Sequence, residues 1–286
     1  MSGDSHVTAP TRFAEAGGIR YAYRRFGAQA GTPLVFLQHL RGNMDYWDPL
    51  VTDGLAAGRP VILFDNAGVA SSSGETPDTY EALADHAAMF IGALGLPQVD
   101  LLGFSIGGGV AQALALRHPS AVRRLVIAGA RPRGGVDEGT HPDVVEVATR
   151  HEVPTLEDFL FLFFDPSPAS QAAGRAFWER RHQRTADLDV PTSQQTMKAQ
   201  LAAIADWRVQ RGERYAELAK ITQPVLVANG HHDIMAPTIN SYLLAQHLPA
   251  AQLIIYPGSG HGFLFQYPGL FVAHVARFLD AEVEFT

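Results

Sequence analysis

Residues 100–110 read DLLGFSIGGGV. An apolar run, VDLLG at 99–103, stops at a serine bracketed by Gly103 and Gly107, and the chain continues as IGGGVAQALALRH, a helical pattern. Where a strand turns sharply into a helix, side chains flanking the turning residue collide with backbone, so the glycines acquire a steric purpose. Ser105 is then held in a strained conformation with its hydroxyl standing beyond the strand end. The competing reading is a glycine-rich turn without chemistry; the strand before it and the helix after it favour the strained serine. Gly108 and Gly109 are expected to serve close packing and access to the Ile106 amide.

Outward from this stretch, short continuous apolar runs recur: LVFLQ at 34–38, PVILFD at 60–65, RLVIA at 124–128, PVLVAN at 224–229 and QLIIY at 252–256. Continuous rather than alternating runs are strands buried on both faces, which means a parallel sheet. Helical patterns separate them. The clearest has Pro77 near its start, apolar Tyr80, Leu83, Ala87, Ile91 and Leu94 at helical spacing, and Gly95 as a stop. The fold class expected is α/β, a mostly parallel central sheet with helices on both faces. GIRYAYRRFG at 18–27 alternates better and is expected as an antiparallel edge strand. From about 131 to 218 no strand-like run occurs, whereas LEDFLFLFF and SQAAGRAFWERRHQRT look helical. The organisation expected is a core of residues 13–130 and 219–286, a helical cap or lid of 131–218 over the carboxyl edge of the sheet, and a flexible tail of 1–12.

The 286 residues, 47% of them hydrophobic, suffice for a sizeable core. Lys and Arg number 22 against 29 Asp and Glu, a net charge of −7. The scattered basic residues track no phosphate backbone, which argues against nucleic acid as a partner. The absence of cysteine removes disulfides, thiolate catalysis and cysteine-ligated zinc. The polar start MSGDSHVTAPTRF reads as neither signal peptide nor anchor, so a cytoplasmic location without membrane association is expected.

A serine hydroxyl is a weak nucleophile until a base takes its proton, and that base needs an orienting acid. Both are available just past strand ends. Asp233 follows PVLVANG in GHHDIMAP, and His261 follows QLIIYPGSG in GSGHGFLFQYP. His39, His231 and His232 raise a metal reading. Two adjacent histidines on a loop do not readily share one ion, and no helical HExxH spacing exists, so neither metal nor other cofactor is expected. Gly107 to Gly109 lie behind a serine turn rather than in a dinucleotide fingerprint.

From about residue 13 to 279 the chain resembles the α/β-hydrolase superfamily, in the order Ser105, Asp233, His261 and in the strand-turn-helix context of GFSIG. Gly230, Asp233 and Pro237 match the family pattern around its triad acid. The alternative acid position, after the preceding strand, reads AGARPRGG, although Asp137 and Glu138 lie a little further on. Asp65, Gly68 and Ser72 match a second family pattern with Ala70 in place of a glycine, taken here as a structural turn. The resemblance implies an oxyanion hole from the backbone amides of Ile106 and of Leu40 in QHLRGNMDYWDP. Relatives usually carry His-Gly where this chain has His39-Leu40. Leu40 retains the amide, but its side chain and Arg41 would narrow or polarise the pocket.

The resemblance implies a serine hydrolase acting on a small-molecule carboxylic ester or lactone, fairly apolar and uncharged. A QH and RGxxDxW loop is also similar to esterases of this superfamily, some relatives of which open macrolide lactones. His39, Arg41, Trp47, Phe104 and Phe163 are candidate pocket residues. For Arg41 the first reading is a solvated loop arginine or a partner of Asp45 or Asp48, and for Trp47 it is packing. Phe159, Phe161, Phe163 and Phe164 are either core or an apolar acyl pocket. Amide or carbon–carbon cleavage by the same residues, and a receptor with a slow triad, stay open. A dehalogenase or epoxide hydrolase needs a carboxylate where Ser105 stands.

Overall fold

The computed structural model describes residues 3–282. Eight strands form one sheet: β1 (Arg12–Ala16), β2 (Ile19–Gly27), β3 (Leu34–Leu37), β4 (Pro60–Phe64), β5 (Val99–Phe104), β6 (Val122–Ala128), β7 (Val225–Gly230) and β8 (Ala251–Tyr256). Their spatial order is β1-β2-β4-β3-β5-β6-β7-β8. From β4 to β8 every neighbour pairs parallel, whereas β1 with β2 and β2 with β4 are antiparallel. The apolar runs thus become strands, and side chains alternate between two buried layers. Leu34, Phe36, Leu102, Phe104, Val126 and Ala128 face one core, while Val35, Leu37, Leu101, Leu125 and Ile127 face the other.

Between the strands run α1 (Pro49–Ala56), α2 (Tyr80–Ala93) and α3 (Ile106–Arg117). Thr79 caps α2 by accepting from the Ala82 amide, and Gly95 closes it at φ +66°, a conformation glycine adopts freely. Between β6 and β7 the sheet alternation is interrupted by α4 (Val144–Thr149), α5 (Leu156–Phe163), α6 (Pro168–Arg181) and α7 (Gln194–Arg208). A reciprocal capping box, Thr155 with Asp158, starts α5. Then α8 (Ile239–His247), α9 (Phe263–Gln266) and α10 (Pro268–Asp280) complete the chain. Among the described residues no helix is long and apolar enough to cross a membrane.

Two expectations need correction. The edge strand is β1, and β2 lies one place further in; the five-residue RFAEA run, with only Ala14 buried, offers too little pattern to be read. The 1–12 segment is not a free tail over its described part. His6 and Ala9 are buried, and the Arg184 guanidinium donates to the carbonyls of His6, Val7 and Ala9 at 3.1, 2.9 and 2.9 Å. The turn after β4 is structural: Ser72 Oγ donates to the Asp65 carbonyl at 2.7 Å and accepts from the Ala22 amide at 2.8 Å. Burial, reinforced by nearby Asp189, pushes the Asp65 carboxyl well above the usual carboxylate range.

Burial lowers His6 from 6.5 to about 4 and His39 from 6.5 to about 3. The unfolded chain therefore takes up protons below about pH 6.5 that the folded chain refuses, and stability present above that pH is lost as pH falls. Each ring contributes a slope of about 1.4 kcal/mol per pH unit in that interval. Asp65 acts in the opposite sense, so variants must be compared with one another. His6→Gln is expected to flatten the decline of Tm between pH 6.5 and 4.5; an unchanged slope would refute a neutral buried His6.

Candidate active site

Every parallel strand delivers its carboxyl end to the same edge, and the candidate residues collect there. Ser105, between β5 and α3, has φ +59° and ψ −120°. Its amide donates to the Ala128 carbonyl of β6 at 2.9 Å, which holds the turn against the sheet. A Cβ on Gly103 would stand 2.2 Å from the Gly107 carbonyl oxygen, and one on Gly107 2.0 Å from that of Leu37. The next two glycines have their own neighbours: a Cβ on Gly108 would meet Ala130 at 2.5 Å, and one on Gly109 would enter the Tyr80 ring at 2.1 Å.

His261, just past β8, is fully buried, and its Nδ1 donates to Asp233 Oδ2 at 2.7 Å. Asp233 Oδ1 accepts from the amides of Met235 and Ala236 at 2.8 and 2.9 Å, which fixes the carboxylate. With its proton on Nδ1, His261 keeps a lone pair on Nε2, which is buried and without a partner. Ser105 Oγ is not hydrogen-bonded to it in this arrangement. The imidazole is wedged between Phe104 and Phe163, with ring centroids at 4.8 and 5.4 Å. Asp137, the other acid considered, is largely exposed and bonded to Arg131.

Two backbone amides beside Ser105 are oriented through their own peptide planes. The Ser105 carbonyl accepts from the Gly108 amide at 2.9 Å, and the His39 carbonyl accepts from the Gly42 amide at 3.0 Å. A trans peptide is rigid, with its N–H opposed to its C=O, so tying down these carbonyls aims the Ile106 and Leu40 N–H groups the other way. Leu40, Ile106 and Ser105 all line one chamber.

Arg41 departs from expectation. It is buried, has φ +62°, and pairs with neither Asp45 nor Asp48, whose partners are Arg24 and Arg180. Its guanidinium instead donates to the carbonyls of Ala148 at 2.8 Å, in the last turn of α4, and of His151 at 3.0 Å and Glu152 in the loop that follows. Its amide donates to Gln200 of α7 at 2.7 Å, and its carbonyl accepts from Thr192 at 2.8 Å.

Two chambers meet at Ser105. The larger, about 290 Å³, is bounded by Tyr80, Ile204, Trp207, Val144, Met235 and Arg131, among others. The smaller, about 30 Å³, is bounded by His39, Arg41, Tyr46, Phe159, Leu162 and Phe163. His39, Arg41 and Phe163 thus reach a chamber, whereas Trp47 and Phe104 do not. Trp47 packs edge-on against Phe36 at 4.9 Å and Phe104 lies behind the imidazole, both as core. Phe161 and Phe164 border a separate cavity with His232. Sequence reasoning missed Tyr80 and Trp207, whose rings lie 4.9 Å apart; Gly109, opposite Tyr80, was the available signal. It also missed Arg131 and Arg208, which line the larger chamber and both approach Asp137. His231 and His232 stack on each other, and His232 bonds Asp165 at 2.7 Å. Among the described residues no three His, Asp or Glu side chains are grouped to hold a metal ion.

A model of the alpha/beta hydrolase fold matches residues 32–268, and the chain belongs to that family. It is similar to an alpha/beta hydrolase fold protein from Chitinophaga pinensis, at 44% identity and TM-score 0.92, over 97% of this chain and 100% of that one. Among curated relatives, 2-hydroxymuconate semialdehyde hydrolase of Pseudomonas sp. (strain CF600) is 29% identical over 92% of each chain. Pimeloyl-[acyl-carrier protein] methyl ester esterase of Nitrosomonas europaea is 30% identical over 61% of this chain and 68% of its own.

Gly107→Ala is expected to lower stability by about 3 kcal/mol or more, because backbone on both sides must move. A urea midpoint equal to that of the wild type would contradict the close approach. Arg41→Ala should cost about 2 kcal/mol by leaving three carbonyls without their donor. It should also expose residues 148–155 to limited proteolysis, and Arg41→Lys should not restore protection, since an ammonium lacks the planar fork. Wild-type resistance in Arg41→Ala would remove the clamp.

Proposed function

We propose that the chain is a serine hydrolase of carboxylic esters or lactones, with Ser105 as nucleophile, His261 as base and Asp233 as orienting acid. The observation that carries this reading is the buried Asp233–His261 hydrogen bond, which leaves Nε2 as a free base at the sheet edge where Ser105 stands in a left-handed turn. Ser105 Oγ attacks the carbonyl carbon while His261 Nε2 takes its proton; the Leu40 and Ile106 amides hold the oxyanion. His261 then protonates the leaving alcohol. Water adds to the acyl-enzyme with its proton passing to Nε2, and the acid departs as Ser105 regains its proton.

A chamber of about 290 Å³ lies at the low end for small-molecule pockets and is largely apolar, which favours a compact ester or lactone. Arg131 and Arg208 modify the expectation of a charge-free pocket, but both are engaged with Asp137. Val144, Val145 and Ala148 of α4, with Leu201, Ile204, Ala205, Trp207 and Arg208 of α7, form much of the wall. These helices are therefore read as a lid, and a macrolactone would require them to move apart. Carbon–carbon cleavage by the same three residues stays in the test.

Ser105→Ala is expected to reduce turnover of a p-nitrophenyl short-chain ester by a factor on the order of 10⁴ or more, and Asp233→Asn by about 10⁴. Circular dichroism should show the fold retained. A fluorophosphonate should label wild-type Ser105; no labelling and no turnover would turn the reading into a receptor. Mass spectrometry of a panel of acyl esters, small lactones, macrolactones and a ring-fission product then identifies the bond cleaved.

A further inference from the structure

The larger chamber joins two kinds of chemistry. Ser105, Leu40 and Ile106 line it, and so do Tyr80, Arg131 and Arg208. The Tyr80 ring rests on Gly109, one helical turn past Ser105 and so about 5–6 Å further along α3. Charge around these arginines does not balance. Asp137 Oδ1 is shared by Arg131 and Arg208, and among the described residues no other carboxylate pairs with either. Arg133, by contrast, has Glu81, Asp206 and Glu217 as partners. The Asp137 side chain is 57% exposed, so water screens its pairing and leaves it weak.

Arg208 meets Asp137 only through Nε, at 3.4 Å. Neither of its Nη groups makes a hydrogen bond among the described residues, and unlike Nε they are not sealed inside the protein. Tyr80 is 5% exposed; its hydroxyl also finds no partner among the described residues and is not sealed off either. Burial pushes this phenol up while the charges of Arg131, Arg208 and Arg133 pull it down, so the hydroxyl keeps its proton and lies in the field of those arginines. Every unmatched group here is a donor, and donors left unmatched in a ligand chamber are costly until a ligand meets them. The group that suits them is an acceptor with negative charge. Asp137 indicates which one, since a carboxylate already sits between the two guanidiniums, and a guanidinium fork matches a carboxylate with two parallel bonds.

We infer that Arg208 and Tyr80, beside the positive charge of Arg131, are specificity residues that bind a carboxylate carried by the substrate at a distance from the cleaved bond, so that the preferred substrates are esters or lactones bearing a free acid. This rests on the serine-hydrolase reading of the same site, and it replaces the expectation of an uncharged substrate.

The test uses monomethyl glutarate and monomethyl adipate, which carry the acid on the acyl side, and β-acetoxypropionate and γ-acetoxybutyrate, which carry it on the alcohol side. Each is compared with the ester in which an isopropyl group replaces the carboxylate, every rate being divided by that of uncatalysed hydrolysis. For at least one acid the corrected kcat/KM of the wild type is expected to exceed that of its isostere about tenfold, and Arg208→Gln to bring the ratio close to one. Comparing two esters on the same protein cancels a general loss of active enzyme. Ratios near one throughout, or a preference that Arg208→Gln leaves intact, overturn the subsite. Should Arg208→Gln fail to fold, Tyr80→Phe decides: it removes a single oxygen and is expected to lower the ratio about threefold, and an unchanged ratio overturns the inference. Absence of turnover of every ester, with no fluorophosphonate label on Ser105, removes the hydrolase reading and this one with it. Turnover without preference for the acids removes this one alone.

Discussion

The structure depends on how closely three pieces of backbone approach one another behind Ser105. The end of β3, the end of β5 and the start of α3 leave no volume for a side chain at Gly103 or Gly107, since a Cβ at these positions would stand 2.2 and 2.0 Å from a backbone carbonyl oxygen. This crowding turns the chain sharply enough to put Ser105 at φ +59°. It also brings the first amide of α3 close to the loop that follows β3. Had either glycine been alanine, the helix would have to retreat from the end of β3, and with it Ile106 from the chamber that Leu40 also lines.

The helices α4 and α7 and the segment before α7 are bound into the same arrangement. Arg41 fastens the end of α4, Gln200 of α7 fastens Arg41, and Thr192 fastens its carbonyl. Asn43 Nδ2 donates to the Val190 carbonyl at 3.0 Å, and the Asp189 amide donates to Asp45 Oδ2 at 2.6 Å. The loop carrying Leu40 therefore has its shape set as much by these segments as by the sheet. The left-handed φ of Arg41, unfavourable for a non-glycine residue, is held by bonds from both sides. On the lid reading proposed above, moving α4 and α7 apart must break some of these bonds, which links access to the larger chamber with the orientation of the Leu40 peptide.

The sheet was legible because burial on both faces forces continuous apolar runs, and the Ser105, Asp233 and His261 positions were legible because each follows such a run. What stayed hidden depends on partners distant in sequence. Nothing near Arg41 announces that its guanidinium meets carbonyls at 148, 151 and 152, while two acidic residues within seven positions offer a false local partner. The packing of residues 6–9 depends on Arg184, again remote. The chamber walls come from the first residue of α2 and the last turn of α7, which no local motif joins. Only Gly109 marked one of them, by making room for the Tyr80 ring.

In the mechanism proposed above, the chemistry at Ser105 would be served by dipoles fixed before any substrate arrives. The Ile106 and Leu40 N–H groups are aimed by hydrogen bonds on the opposite side of their own peptides, from Gly108 and Gly42, so their orientation costs nothing at the moment charge develops. A carboxylate at position 39 would oppose that developing charge, and a cation would retain the anionic product. A neutral imidazole does neither, since its one proton is committed to the Leu40 carbonyl. Burial that keeps His39 uncharged thus leaves the field around the oxyanion of the proposed mechanism to the two amides.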